Sequence, residues 1–289
     1  MRAQAFTNPI TNPVVISQIQ SHTGGDWVKT RQKAVNTRGF QVKQEEDGLD
    51  IGHNTEVYGW LALAKGSGDL GGLTYEAIIT PDQVTHNPYT VTWSQTFSRT
   101  PSFFANMQTT DGGDPSHMRQ SSVTTTNAVM WVEEETCSDA ELAHTTEVIG
   151  VLAVDQGLAG GSASIEVGVA SADLNAVNIR YGGSYSDPIV IAGVPTHNGD
   201  EELVIRISRI GSTSFDLYAD LPNRCGSGGH ASEDFGFMIL STGMTGPILA
   251  GSGTYGICAG GELCTPTYGC SSCDHSTGFD WVDVVSHVD

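Results

Sequence analysis

The chain says nearly the same thing three times, and a repeat of fixed length restricts it to a tandem array of one small unit. A proline opens each copy and an arginine follows 18 residues later: Pro13 and Arg31, Pro101 and Arg119, Pro188 and Arg206. A histidine phrase comes next, GHNTEVYGWLALAKG from Gly52, AHTTEVIGVLAVDQG from Ala143 and GHASEDFGFMILSTG from Gly229. The prolines lie 88 and 87 residues apart, about the length of one small domain. A unit of that size buries only a marginal core alone, so the copies are expected to pack on each other.

Within each copy the apolar residues alternate over five to eight positions, as in PVVISQIQ, PSFFANMQT and PIVIAGVPT. That is the pattern of a half-buried strand, and Gly- and Asp-rich turns separate the runs. No segment keeps a helical period. Upstream of the proline, copies two and three carry two more strands, LTYEAIIT with YTVTWSQTF and ASIEVGVA with AVNIRYGGSY. Six strands suffice for a two-sheet antiparallel sandwich. The expected fold is therefore all-β, with three tandem six-stranded sandwiches over residues 1–66, 67–157 and 158–243, and a cysteine-rich tail over 244–289. Copy one has AQAFTNPIT for the second upstream strand and nothing for the first. A missing strand leaves an open sheet edge, which proteins cover or pair. The tail segment TGPILAGSGTYGI from Thr245 is expected to fill it, either within one molecule, closing a ring, or in the next molecule, making a polymer.

The net charge of -20 argues against nucleic acid, because the 13 basic residues are scattered rather than clustered. No apolar run reaches the ~18 residues of a membrane helix, and membrane insertion is not expected. The first residues, MRAQAFTNPITNP, lack the apolar core of a signal peptide, so the chain reads as a piece of something longer. Six cysteines, Cys137, Cys225, Cys258, Cys264, Cys270 and Cys273, read as a disulfide framework in an oxidising compartment. The alternative is a zinc site built on Cys270 and Cys273. Cys137 and Cys225 stand in corresponding loops and could join each other, the tail or another molecule. Gly251-Ser-Gly253-x-x-Gly256 matches the dinucleotide fingerprint by letter only, because no helix follows it. Trp60, Trp93, Trp131 and Phe237 sit at strand positions and read as core.

The order of proline strand, arginine, Gly-Phe and His-Asn-Thr-x-Val-Tyr in copy one resembles the H-type lectins, a family of small agglutinins and discoidin C-terminal domains. The segments that carry the resemblance are PVVIS, Arg31, TRGF from Thr37 and HNTEVYGWLALA from His53. It covers about Pro13 to Gly243 as three copies. It implies a six-stranded sandwich, trimeric assembly and a galactosamine-type sugar site near subunit boundaries. The family's arginine maps onto Arg31, Arg119 and Arg206, its histidine onto His53, His144 and His230, and its aspartate onto Asp82 and Asp173. Copy one has no such aspartate loop. Gly52, Ala143 and Gly229 stand where the family often has an aromatic, so a stacking contact is missing.

The residues support two readings. A guanidinium holds two sugar oxygens in one plane, and histidine and carboxylate add directional partners. On that reading the chain is a secreted carbohydrate-binding protein with galactosamine- or galactose-type glycans and glycoproteins as partners, made effective by three weak sites. On the other, each histidine and its following acid (Glu56, Glu147, Glu233) form structural networks with the arginines and the acids of QEE (Gln44 to Glu46) and EEE (Glu133 to Glu135). The chain is then a subunit of an extracellular fibre or sheath that self-associates head to tail. No nucleophile elbow or recurring carboxylate pair points to an enzyme, and no cofactor or metal is expected.

Overall fold

The computed structural model describes residues 2–49, 53–137, 139–159, 165–222, 225–226, 228–241 and 248–255. They are all-β. Each copy is a sandwich of an inner and an outer antiparallel sheet. In copy one the inner sheet has the order β2 (Pro13–Ile19), β5 (Glu56–Ala64), β20 (Ile248–Tyr255), and the outer sheet β1 (Arg2–Ala5), β4 (Gly39–Glu46), β3 (Val28–Asn36). Copy two repeats this arrangement. Its inner sheet is β9 (Ser102–Met107), β12 (Ile149–Val154), β7 (Thr74–Ile79), and its outer sheet β10 (Ser116–Val123), β11 (Asn127–Glu134), β8 (Tyr89–Thr92). Copy three does so with β16 (Pro188–Ala192), β19 (Glu233–Ser241), β14 (Ile165–Ala172) and with β17 (Val204–Ser208), β18 (Ser214–Asp220), β15 (Val177–Arg180).

The strand missing from copy one is supplied by the same chain. β20 runs antiparallel to β5 from Ile248↔Leu63 to Tyr255↔Glu56, in the place that β7 and β14 hold in the other copies. Of the two arrangements open to the sequence, this is the closed ring. Two short strands not expected from the sequence, β6 (Gly66–Asp69) and β13 (Gly157–Leu158), extend the inner sheets and carry the chain from one copy into the next. The chain turns there at Gly66 and Gly157, whose φ angles of 139° and 146° are costly for any residue with a Cβ. That accounts for the glycine closing the histidine phrase in the first two copies.

The central inner strands read as unbroken apolar runs because both faces are buried. One face fills the sandwich itself, with Trp60 and Ala62 in copy one, Val151 and Ala153 in copy two, Phe237 and Ile239 in copy three. The other face (Leu61 and Leu63, Leu152 and Val154, Met238 and Leu240) joins one core shared by all three copies, which also takes in Ile248 of β20. The copies are thus fused around a common centre. A disulfide joins Cys137 of copy two to Cys225 of copy three, with Cα atoms 5.2 Å apart. Cys258, Cys264, Cys270 and Cys273 lie outside the described residues.

Candidate functional site: the seams between copies

Each arginine reaches out of its own copy to the next. Arg31 Nη2 meets Glu147 Oε1 at 3.3 Å, Arg119 Nη2 meets Glu233 Oε1 at 3.1 Å, and Arg206 Nη2 meets Glu56 Oε1 at 3.0 Å. Copy one therefore holds copy two, two holds three, and three holds one. The three arginines are at most 1% exposed and the three glutamates 0%. The glutamate in each seam opens, or lies just before, the central strand of the inner sheet, three residues after the histidine.

Around that carboxylate the same set of donors gathers. Glu56 accepts the Thr23 amide at 3.1 Å and the Ser21 hydroxyl; Glu147 accepts the Asp111 and Gly112 amides at 3.0 and 3.2 Å and the Thr109 hydroxyl. Glu233 accepts the amides of Asn198 and Gly199 at 2.9 and 3.1 Å. His53 and His144 bring Nε2 to the same carboxylates at 3.0 and 3.2 Å; His144 Nδ1 also bonds Glu134, while His53 Nδ1 lies 3.1 Å from Glu46 without hydrogen-bond geometry. In copy three the residue at the corresponding place is Leu221, and His230 turns its two nitrogens to the carbonyls of Ala231 and Glu201. Burial pushes the Glu56 carboxyl up, but His53, Ser21, Arg206 and the Thr23 amide outweigh it and hold it at about 2. Glu147 is depressed for the same reasons, with His144 and Thr109 leading against burial.

A glycine closes each joint. A Cβ at Gly24, Gly112 or Gly199 would fall 2.7, 2.3 or 2.6 Å from the ring of His53, His144 or His230. The turns HTGGD, TDGGD and HNGDE hold these glycines at one spacing, a signal for a histidine lying flat on backbone that the strand and turn patterns do not bring out. The acids expected as cross-strand partners also contribute: Arg31 Nη1 lies 3.6 Å from Glu45, and Arg119 Nε 3.5 Å from Glu133. Arginine, histidine and glutamate therefore do meet, but across the copies and out of solvent.

The aspartates stand apart. Asp82 is exposed on the loop after β7, and Asp173 uses its carboxylate to accept the Asn175 amide at 2.7 Å, which lowers its pKa. Trp131, expected in the core, is instead half-buried at the seam of copies two and three, its ring 5.4 Å from that of His197. At the seam of copies three and one, Tyr218 meets His22 in the same way, with the hydroxyl 3.1 Å from Nε2.

The fold and its seams define a single-chain, three-lobed all-β protein closed on itself. No family model matches the chain, and no solved structure matches it. It is similar to halomucin of Haloquadratum walsbyi, with 30% identity over 152 residues, which is 51% of this chain. The chain spans only 2% of the length of halomucin. The likeness and the Cys137–Cys225 bridge both point to an extracellular setting.

Proposed function

We propose that this chain is a structural module of an extracellular coat, a self-closed block whose arginine–glutamate–histidine sets are joints between lobes. The observation that carries this reading is the occupancy of each arginine by a carboxylate of the next copy, with neither group open to solvent. Buried ion pairs add little net stability against apolar groups, but breaking one is costly, so they select one arrangement of the lobes. The likeness to halomucin, a cell-surface protein, agrees with an extracellular role.

The test is a glycan array probed with the native chain beside an Arg31/Arg119/Arg206→Lys triple variant, with unfolding measured on both. Expected are no glycan retention by the native chain and a large loss of stability in the variant. Galactosamine-type binding that vanishes in a variant of unchanged stability would overturn the proposal. A second reading, glycan binding, is favoured by the half-exposed Trp131–His197 and Tyr218–His22 pairs at two outer seams. An aromatic face beside an oriented imidazole is a platform for a sugar ring. On that reading Trp131→Ala abolishes array binding while leaving the joints intact.

A further inference from the structure

Where the three copies meet there is a cavity of about 70 Å³, lined by the same two segments of each copy: the proline strand and the strand that carries the arginine. Its polar wall is made by Lys29, Arg31 and His117, with Ser17, Asn106 and Ser116. In a chain with 33 acidic and 13 basic residues, no carboxylate among the described residues lines this space. The acids stand behind the cations instead. Glu45 holds Lys29 and Arg31 from β4, and Glu133 Oε2 takes His117 Nε2 at 2.7 Å from β11.

Two nitrogens of these lining residues are unmatched. Among the described residues, Arg31 Nε and His117 Nδ1 are buried without a hydrogen-bond partner, and an unmet buried polar group is costly. Both side chains are more than nine-tenths buried. A guanidinium N–H needs an acceptor. Once protonated, His117 offers a second N–H on the side away from Glu133. We propose that the axial cavity is a binding site for a small monovalent anion of halide or short-carboxylate size, held by Lys29, Arg31 and His117. The volume suits such an ion, since a single water needs about 10–15 Å³. Copy three carries Val204 at the position of Lys29 and His117, so the repeat itself does not require a cation there.

The site is linked to protons. Lys29 faces Glu45 and Lys43 of β4 and Arg31 of its own strand, and burial brings it down to about 7. His117 faces Glu133, which also holds His197, together with Arg119 and Lys29; burial lowers it too. An anion favours the charged form of both groups, so binding takes up protons and weakens as pH rises.

The test uses the full chain, with bromide and acetate as probes. Crystals grown in sodium bromide are expected to show an anomalous peak within hydrogen-bonding reach of Lys29 Nζ and His117 Nδ1. In solution, bromide NMR line broadening should fall up to tenfold per pH unit through about pH 7, and acetate should compete. Lys29→Met with His117→Val should abolish it. A cavity holding only water in bromide-grown crystals overturns the proposal without needing the variant, as does pH-independent broadening that survives in it. Competition by acetate assigns the site to short carboxylates as well; its failure restricts it to halides.

Discussion

Replacing Glu56 by alanine tests the joint that closes the ring. Glu56 is fully buried and receives Arg206, His53, Ser21 and the Thr23 amide. Its carboxyl is held at about 2 rather than 4.5, a preference for the charged form of roughly 3 kcal/mol. Removing one partner of a buried pair costs about 3–5 kcal/mol, because the other charge is stranded. Glu56→Ala should therefore destabilise the chain by about 3–4 kcal/mol, a fall in Tm on the order of 10 °C. The assay is urea unfolding followed by tryptophan fluorescence, each transition fitted separately. Arg206→Met and the double variant complete a cycle. The double variant should be more stable than the summed singles predict by on the order of 1–3 kcal/mol. A loss below about 1 kcal/mol for Glu56→Ala, or single effects that add to within about 0.5 kcal/mol, would refute the joint.

Acid should act through the same groups. Glu45, Glu56 and Glu133 are each held at about 2, so their stabilisation is complete above about 4.5 and is lost as pH falls through about 2; a urea midpoint unchanged between pH 6 and pH 2.5 contradicts this. Gly112→Ala places a Cβ 2.3 Å from the His144 ring and should cost about 1–3 kcal/mol, whereas Gly113→Ala, with open space around it, should cost less than about 1 kcal/mol in the same assay. Asp220 is pushed up to about 6 by burial, with Asp26 adding to it against the pull of Arg206, so this group's contribution to stability should rise as pH falls from 7 to 5. Asp220→Asn should stabilise the chain at pH 7 by about 1–3 kcal/mol and flatten that slope; a destabilised variant speaks against it. Ending the chain at Gly246 removes β20 and opens the β5 edge, so light scattering should show self-association that a peptide of residues 248–255 reverses; a monomeric product of unchanged Tm would count against the strand's role.

Much of the fold is legible in the sequence because it is written locally. The proline strand, the alternating runs and the shortfall of one strand in copy one can each be read within a few tens of residues, and the spare strand TGPILAGSGTYGI has one vacancy to fill. The joints are only half legible. Arg31, Arg119 and Arg206 and the histidines recur at fixed spacing, but the partner glutamates lie 116, 114 and 150 residues away. Spacing within one copy cannot show that a side chain points into the next. Glu45 and Glu133, one strand over, were within reach of such reasoning and do take part. Trp131 escaped for a related reason: it alternates like a core residue, yet the face it occupies is the outer edge of a seam, visible only once copies two and three are docked.

The placement of β20 also orders the assembly of the molecule. Copies two and three draw all their strands from one continuous stretch each, so their sheets can pair as the chain passes. Copy one cannot. Its inner sheet waits for a strand that pairs Ile248 with Leu63 and Tyr255 with Glu56, across the whole of the intervening chain. Closing a long loop adds only a logarithmic entropic cost to stability but slows the step that depends on it. The same step brings Arg206 to Glu56 and Ile248 into the shared core. Ring closure, the third joint and the completion of copy one are thus one event.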